Sequence, residues 1–235
     1  MKRGTLYLVP TGLGNIDPIP LTPPLVRATL QTIELFLAEQ PKTATQFLSR
    51  LGFGDRLQHL IFVTLNDQTE DAAIQEVLDQ ADHGKNVGVI SEAGCPGIAD
   101  PGAQAVRLAH ERGIQVVPLI GPSSITLALM ASGLNGQSFV FHGYLPSVRT
   151  ERIERIRRIE HDSGRDKATQ VFIEAPHRND HLLSDLLRHC REDTQLCVAV
   201  DLTLPSETIR TLTIGRWRKE DMVLGKRPTV FLLQR

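Results

Sequence analysis

Val87-Gly-Val-Ile-Ser-Glu-Ala-Gly-Cys-Pro-Gly-Ile-Ala-Asp-Pro-Gly102 begins as an apolar run short enough for one buried parallel strand. It continues as a loop with three glycines and two prolines, and a helix-compatible run over residues 103–112 follows. In α/β proteins the crevice at the carboxyl end of a strand is where ligands bind. Gly94, Gly97 and Gly102 allow positive φ or close approach of backbone to a ligand. Pro96 and Pro101 stiffen the segment, while Glu92 and Asp100 bring carboxylates to it. Taken alone, the loop also fits an ordinary strand-to-helix turn.

The surrounding sequence repeats the same alternation. Strands are expected over 6–9, 60–64, 87–90 and 115–119, and helices over 25–38, 71–82, 103–112 and 123–131. Leu25, Ala28, Ile33, Phe36 and Leu37 supply the apolar face of the helix expected over 25–38. Such alternation indicates βαβ units and a parallel sheet. Turn formers cluster in Gly133-Leu-Asn-Gly-Gln-Ser138, which marks the expected boundary. Beyond it the pattern is richer in strands (138–142, 169–174, 196–201, 208–214, 229–233), with helices near 150–160 and 180–191. The expected architecture is an α/β N-terminal domain over 1–135 and a mixed α/β C-terminal domain over 136–235.

Composition excludes more than it selects. The chain has 235 residues, 41% hydrophobic and 23% charged, with a formal net charge of -1. These values suit a soluble globular protein and give no global pull toward nucleic acid or a membrane surface. Cys95, Cys190 and Cys197 form no C-x-x-C pair, so neither a zinc site nor a disulfide framework is expected, and a reduced, cytoplasmic setting fits. The first ten residues read as a first strand and not as a signal peptide. No run approaches the roughly 18 apolar residues of a spanning helix, so no membrane association is expected.

Two further loops resemble the first in kind. Pro10-Thr-Gly-Leu-Gly-Asn15 follows the first strand, but it lacks the G-x-G-x-x-G spacing and the acidic ribose hook of dinucleotide folds. A nicotinamide oxidoreductase is therefore disfavoured, and the absence of G-K-[ST] excludes a P-loop. Val117-Pro-Leu-Ile-Gly-Pro-Ser-Ser124 runs from a strand through a turn into a helix that Ser123 and Ser124 can cap. If the three strands are neighbours, their loops converge on one pocket. None carries a nucleophile beside a base, and none has metal-ligand spacing. Such a pocket suits a cofactor that brings its own reactivity, with no metal.

Ile153, Ile156 and Ile159 recur at helical spacing among Glu151, Arg155, Glu154 and Arg158, which are placed for i,i+4 pairs. The segment reads as a salt-laced surface helix or as a footprint for an anionic substrate. Glu174-Ala-Pro-His-Arg178 ends a strand and begins a helix; there His177 is a candidate base and Arg178 an anion clamp.

In this order the motifs resemble the tetrapyrrole methylase superfamily of S-adenosylmethionine-dependent methyltransferases. The nearer resemblance is to its branch that methylates a cytidine ribose 2′-hydroxyl in 16S ribosomal RNA, with this chain as a short divergent paralogue. Leu6-Tyr-Leu-Val-Pro-Thr-Gly-Leu-Gly-Asn15 is similar to LYIVPTPIGN, and Ile90-Ser-Glu-Ala-Gly-Cys-Pro96 with Asp100-Pro-Gly102 to VSDAGTP…DPG. Val116-Val-Pro-Leu-Ile-Gly-Pro-Ser123 resembles VVPLPGPS, Gly143-Tyr-Leu-Pro146 resembles GFLP, and Glu174-Ala-Pro-His-Arg178 resembles YE[SA]xHR. The resemblance implies a two-domain α/β homodimer with the cofactor cleft between the domains. It places Leu13, Glu92, Ala93, Gly94, Ile98, Ser123 and Ser124 against S-adenosylmethionine, and Glu174, Ala175 and Leu202 on the adenine side.

Where the ribosomal branch has AEDTR, this chain has Ala38-Glu-Gln-Pro-Lys42; where it has ARELTK, this chain has Ala199-Val-Asp-Leu-Thr-Leu204. An Arg is thus replaced by Val200 and a Lys by Leu204, and the branch's C-terminal extension has no counterpart here. The expectation is an S-adenosylmethionine-dependent methyltransferase whose acceptor, RNA or small molecule, offers an oxygen, nitrogen or carbon nucleophile. Glu39, Asp201 and His177 are its candidate bases. The alternatives are retained 16S rRNA cytidine 2′-O-methylation and a cofactor-binding protein with little transferase activity.

Overall fold

A computed structural model describes residues 3–235. Their contacts divide the chain into two units, Met1–Ser123 and Ser124–Arg235.

In the first unit, β1 (Thr5–Val9), β2 (Ile33–Ala38), β3 (Ile61–Thr64), β4 (Asn86–Ile90) and β5 (Gln115–Pro118) form one sheet in the order β3-β2-β4-β1-β5. Every pairing in it is parallel. The helices are α1 (Pro24–Leu30), α2 (Pro41–Arg50), α3 (Asp71–Asp82) and α4 (Ala103–Glu111). Parallel sheets are covered on both faces, so their inner strands read as continuous apolar runs. β4 follows this rule, with Val87, Val89 and Ile90 buried. Two apolar clusters fill the unit. One gathers Leu6, Leu37 and Val87 with Ile74, Leu78 and Leu108; the other gathers Val9, Phe36 and Ile90 with Leu30 and Leu48.

The helix expected over 25–38 is not one element. Pro24 opens α1, which ends at Leu30; a turn at Gln31 and Thr32 follows, and the chain becomes β2. Five of the six β2 residues are buried. The apolar positions that mimic a helical face in fact belong to a strand covered on both sides, a case that periodicity cannot separate from a helix. α2 was not expected at all. Its start is marked by Pro41 at the first helical position, where the missing N–H costs nothing.

The second unit starts with α5 (Ser124–Ser132) and contains β6 (Phe139–Tyr144), α6 (Arg149–Asp166), β7 (Thr169–Ile173), α7 (Asn179–His189), β8 (Gln195–Val200), β9 (Thr208–Thr213), α8 (Ile214–Trp217) and β10 (Thr229–Gln234). The sheet order is β6-β7-β10-β8-β9, with β6 and β7 parallel and the other pairings antiparallel. The division into units falls before α5, earlier than the glycine-rich 133–138 segment, because α5 packs on β8, β9 and β10. Phe172 and Phe231 stack across the sheet, and Trp217, fully buried, donates its Nε1–H to Leu196 O at 2.8 Å.

α6 buries Ile156 and Ile159 as its spacing requires. Its ion pairs differ from the expected ones. Arg155 reaches His142 Nδ1 at 2.9 Å and Arg158 lies 3.9 Å from Asp162, while buried Arg152 pairs with Asp185 of α7 at 2.7 Å. Packing against β6 thus overrides the expected Glu151–Arg155 pair, worth only about 0.2–0.5 kcal/mol, while Arg158 takes a different local i,i+4 partner in Asp162.

Gly88 in β4 leaves room for a neighbouring ring. A Cβ built there would lie 2.6 Å from Phe36 Cδ1. Gly88→Val is expected to lower stability by about 1–3 kcal/mol through overpacking. Urea unfolding checks this, and an unchanged midpoint would contradict it.

Candidate functional site

β4, β1 and β5 are neighbours, so the three loops that leave their carboxyl ends meet at one edge of the first sheet. Backbone contacts tie them together. Thr11 N donates to Gly94 O at 2.9 Å, forming an isolated antiparallel bridge between the first loop and the second. Cys95 Sγ lies 3.5 Å from Pro122 O, which joins the second loop to the third. A Cβ on Gly121 would lie 2.3 Å from Pro10 Cβ, so the third loop closes on the first only because residue 121 is glycine.

The loop after β4 has φ of +74° at Gly94, +80° at Gly97, +63° at Ala99 and +145° at Gly102. Glycine takes such values without steric cost; Ala99 enters the left-handed region without that freedom. At Gly94 a side chain would in addition approach Leu13 Cδ2 at 3.3 Å.

A cavity of about 380 Å³ opens beside these loops, within the volume range of small-molecule sites. Leu13, Gly14, Glu92 and Ala93 line one side; Thr43, Phe47 and Arg50 of α2 line another. A second, mainly apolar cavity of about 510 Å³ lies under Cys95, Pro96, Ile98, Pro118 and Leu119. The sequence-expected residues Leu13, Glu92, Ala93, Gly94 and Ile98 are therefore gathered at this edge, and Ser123 follows the third loop.

Carboxylates dominate the edge. Glu39, just past β2, accepts the Glu92 N–H at 3.1 Å, and Glu92 accepts the Thr43 hydroxyl at 3.2 Å. Asp100, half-buried in the same loop as Glu92, is pushed up to about 6 by burial and by the Glu39 and Glu92 charges, against a smaller opposing effect of the Ser91 hydroxyl. The sequence shows Asp100 as a carboxylate in the loop without giving it a role. Thr43, Phe47 and Arg50 are missed because α2 is missed; only the proline start at residue 41 announces them.

The remaining expected residues belong to the second unit. Ser124 is the first residue of α5. β7 and β8 both run antiparallel to β10, so Glu174, Ala175, Asp201 and Leu202 collect at one edge of the second sheet. Glu174 is buried; its Oε1 accepts Ala175 N at 2.7 Å and Arg178 Nη2 at 2.6 Å, while Oε2 has no partner among the described residues. Asp201 is buried, accepts the Ser206 hydroxyl at 2.9 Å and lies 3.7 Å from Arg227 Nη1. Asp201 and Thr203 have φ of +54° and +72°. For a β-branched residue such as Thr203 this is a strained conformation. No glycine marks that strain in the sequence. His177 is exposed on the 3₁₀ turn Pro176–Arg178.

Val200, where the ribosomal branch's motif has Arg, is fully buried in the second core. The hydrophobic residue at this position is a core residue, not an altered surface contact.

Comparison with known proteins fits this geometry. Residues 5–217 match the family model described as Tetrapyrrole (Corrin/Porphyrin) Methylases. The chain is similar to "Ribosomal RNA small subunit methyltransferase I" of Escherichia coli O157:H7, with 33% identity over 99% of this chain and 78% of the relative. It is also similar to the protein of that name from Xylella fastidiosa, with 32% identity over 90% of this chain and 73% of the relative. Among solved structures, the methyltransferase CobJ superposes with a TM-score of 0.65 at 20% identity, covering 99% of this chain and 94% of that one. Thermus thermophilus uroporphyrin-III C-methyltransferase, solved in complex with S-adenyl homocysteine, gives a TM-score of 0.53 at 18% identity, covering 99% of this chain and 98% of that one.

Proposed function

The chain belongs to the tetrapyrrole (corrin/porphyrin) methylases and is an S-adenosylmethionine-dependent methyltransferase; from that premise we propose that the first unit's three joined loops hold the methyl donor and that the acceptor is not the 16S rRNA cytidine ribose. The observation that carries the reading is the Thr11–Gly94 bridge, which fixes Leu13, Ala93 and Gly94 beside one another at the sheet edge. The residues fit such a donor. Gly94 leaves open the space that a side chain would fill, and Glu92 and Ala93 are exposed beside it. In the second unit, Ser124, Glu174, Ala175 and Leu202 are the candidate cofactor residues.

When bound, S-adenosylmethionine supplies a methyl group already activated by a positive sulfonium, so the reaction releases one proton from an N–H or O–H acceptor. The protein's part is to align the acceptor, the proximity contribution, and to take that proton. Glu39, Asp201 and His177 differ as candidate bases. Glu39 stands at the loop edge and anchors the Glu92 amide. Asp201 is engaged by Ser206 and Arg227. His177 is exposed on its turn.

The names of the relatives favour a second reading, retained methylation of 16S rRNA. The second unit's 17 Lys and Arg against 14 Asp and Glu also suit a polyanion. Against it stands the local charge. Glu39, Glu92 and Asp100 crowd the edge of the first unit, where phosphates would need cations for charge-assisted hydrogen bonds, and Leu204 stands where the ribosomal branch has Lys. A neutral or cationic small acceptor suits this edge better.

A homodimer in a reducing, cytoplasmic setting completes the proposal. β6 is an edge strand with Phe139, Val140 and Tyr144 exposed, and all three cysteines are free. No helix among the described residues is long and apolar enough to cross a membrane. Light scattering at micromolar concentration is expected to give twice the chain mass of 26.0 kDa; a monomer would contradict the dimer.

Calorimetry is expected to show micromolar binding of S-adenosylmethionine and S-adenosylhomocysteine to the wild type. Gly94→Val should abolish that binding while the protein stays folded, because a β-branched side chain disfavours φ of +74° and crowds Leu13. A folded variant that binds normally would remove Gly94 from the site. The acceptor is tested with labelled S-adenosylmethionine in an extract lacking the protein, sorted into RNA, protein and small-molecule fractions. Purified 30S subunits lacking the ribosomal methylation are assayed in parallel. Label is expected in the small-molecule fraction; stoichiometric 2′-O-methylation of the target cytidine would establish the second reading.

A further inference from the structure

Arg50 is the last residue of α2 and the one cation among the residues that line the cavity of about 380 Å³. It is exposed, and among the described residues it forms neither a hydrogen bond nor an ion pair. Other arginines of the first unit are engaged. Arg3, Arg107 and Arg112 sit in ion pairs, and Arg56 donates to the Gln31 carbonyl. Arg27 leaves its Nε without a partner, but it lines neither cavity at this edge. Helix C-termini favour cations, yet the end of α2 is already closed by backbone. Leu51, Gly52 and Phe53 donate their amides to the carbonyls of Phe47, Ser49 and Leu48, and the Arg50 guanidinium reaches none of them.

The cavity is built with its charges apart. Thr43, Gln46, Phe47 and Arg50 all line it, and their spacing puts them along one face of α2. Arg50 follows Thr43 by seven residues, so their backbones stand about 10 Å apart along the helix axis. Thr43 donates to Glu92 Oε1 at 3.2 Å, which marks that end as the carboxylate end, and Glu39 holds the Glu92 amide there. Glu92 and Arg50 are the only charged residues in the lining, and they do not pair with each other. Leu13, Ile16, Pro18 and Phe47 add apolar wall. Leu13 and Ala93 also belong to the donor's loops, so a molecule seated against α2 adjoins the donor.

We propose that this cavity seats the methyl acceptor, and that Arg50 selects one bearing a single oxyanion, a carboxylate or a phosphate monoester, across an apolar body from its reacting N–H or O–H. This rests on the reading above of a small-molecule acceptor. The Glu92 end suits a neutral or cationic reacting group, and the Arg50 end supplies the opposite preference. A guanidinium presents its donors in a planar fork that matches carboxylate and phosphate oxygens in pairs. Arg50 is then a specificity residue that fixes the far end of the acceptor, so that the reacting end lies beside Glu92 and the donor's loops.

The test uses the full chain, labelled S-adenosylmethionine and the small-molecule fraction of an extract lacking the protein. The labelled product is treated either with a carbodiimide and methylamine or with alkaline phosphatase, and its electrophoretic mobility is compared before and after. One treatment is expected to remove negative charge, the first marking a carboxylate and the second a phosphate monoester. Arg50→Ala should raise the half-saturating amount of that fraction about tenfold or more, with kcat within about twofold of wild type, the pattern of lost uniform binding. Arg50→Lys should recover part of the loss, because the charge returns without the planar fork. Calorimetry with S-adenosylhomocysteine should give Arg50→Ala the wild-type Kd. A product that neither treatment alters, or an unchanged half-saturation in Arg50→Ala, overturns the proposal. Weakened S-adenosylhomocysteine binding in Arg50→Ala also overturns it, by assigning the guanidinium to the donor's own carboxylate. Label that enters only RNA or protein, or no fraction at all, overturns the reading beneath; that failure is distinct, because no small-molecule product then exists to treat.

Discussion

The amide of Thr11 donates to the carbonyl of Gly94, a residue that adopts φ of +74°. That single backbone pair joins two loops that are far apart in sequence and neighbours at the sheet edge. It places Leu13 against Gly94 and leaves Glu92 and Ala93 facing the cavity. Gly121 makes the matching concession on the other side, where nothing larger than hydrogen fits against Pro10. The parallel sheet supplies the register, and glycine supplies the contact.

Electrostatics separates the two units. In the second, two buried carboxylates are paired with arginine, Asp185 with Arg152 and Glu174 with Arg178. Breaking one partner of such a pair leaves an uncompensated charge, so these groups serve order. In the first unit, the loop edge keeps three carboxylates close together with none of them in an ion pair among the described residues. A reaction that releases a proton from its acceptor is assisted by a carboxylate placed to take it. The same charge weakens the case for a phosphate-rich acceptor at this edge.

Much of this was readable from residues alone. The strand–loop–helix order around Val87–Gly102, the convergence of three loops and the positive φ at Gly94, Gly97 and Gly102 all follow from glycine placement and apolar run length. The misread segment was 25–38. A strand buried on both faces lacks the alternation that would separate it from a helix, so β2 was absorbed into α1 and α2 was lost with its cavity residues Thr43 and Arg50. The Glu151–Arg155 pair on α6 does not form because His142 of β6 takes Arg155, and Arg158 pairs locally with Asp162 instead of Glu154. The strain at Asp201 and Thr203 had no glycine to announce it. Asp100 was visible as a residue type, but its raised proton affinity is a property of the folded loop alone.

The central claim is that the donor is held by the three loops of the first unit. Amide chemical-shift mapping of the full chain during titration with S-adenosylhomocysteine tests it most directly. The account predicts saturable shifts at residues 12–14, 92–98 and 121–124, the first and second sets moving together because Thr11 and Gly94 share a hydrogen bond. Saturable shifts confined to other surfaces, with these three loops unmoved, would contradict it.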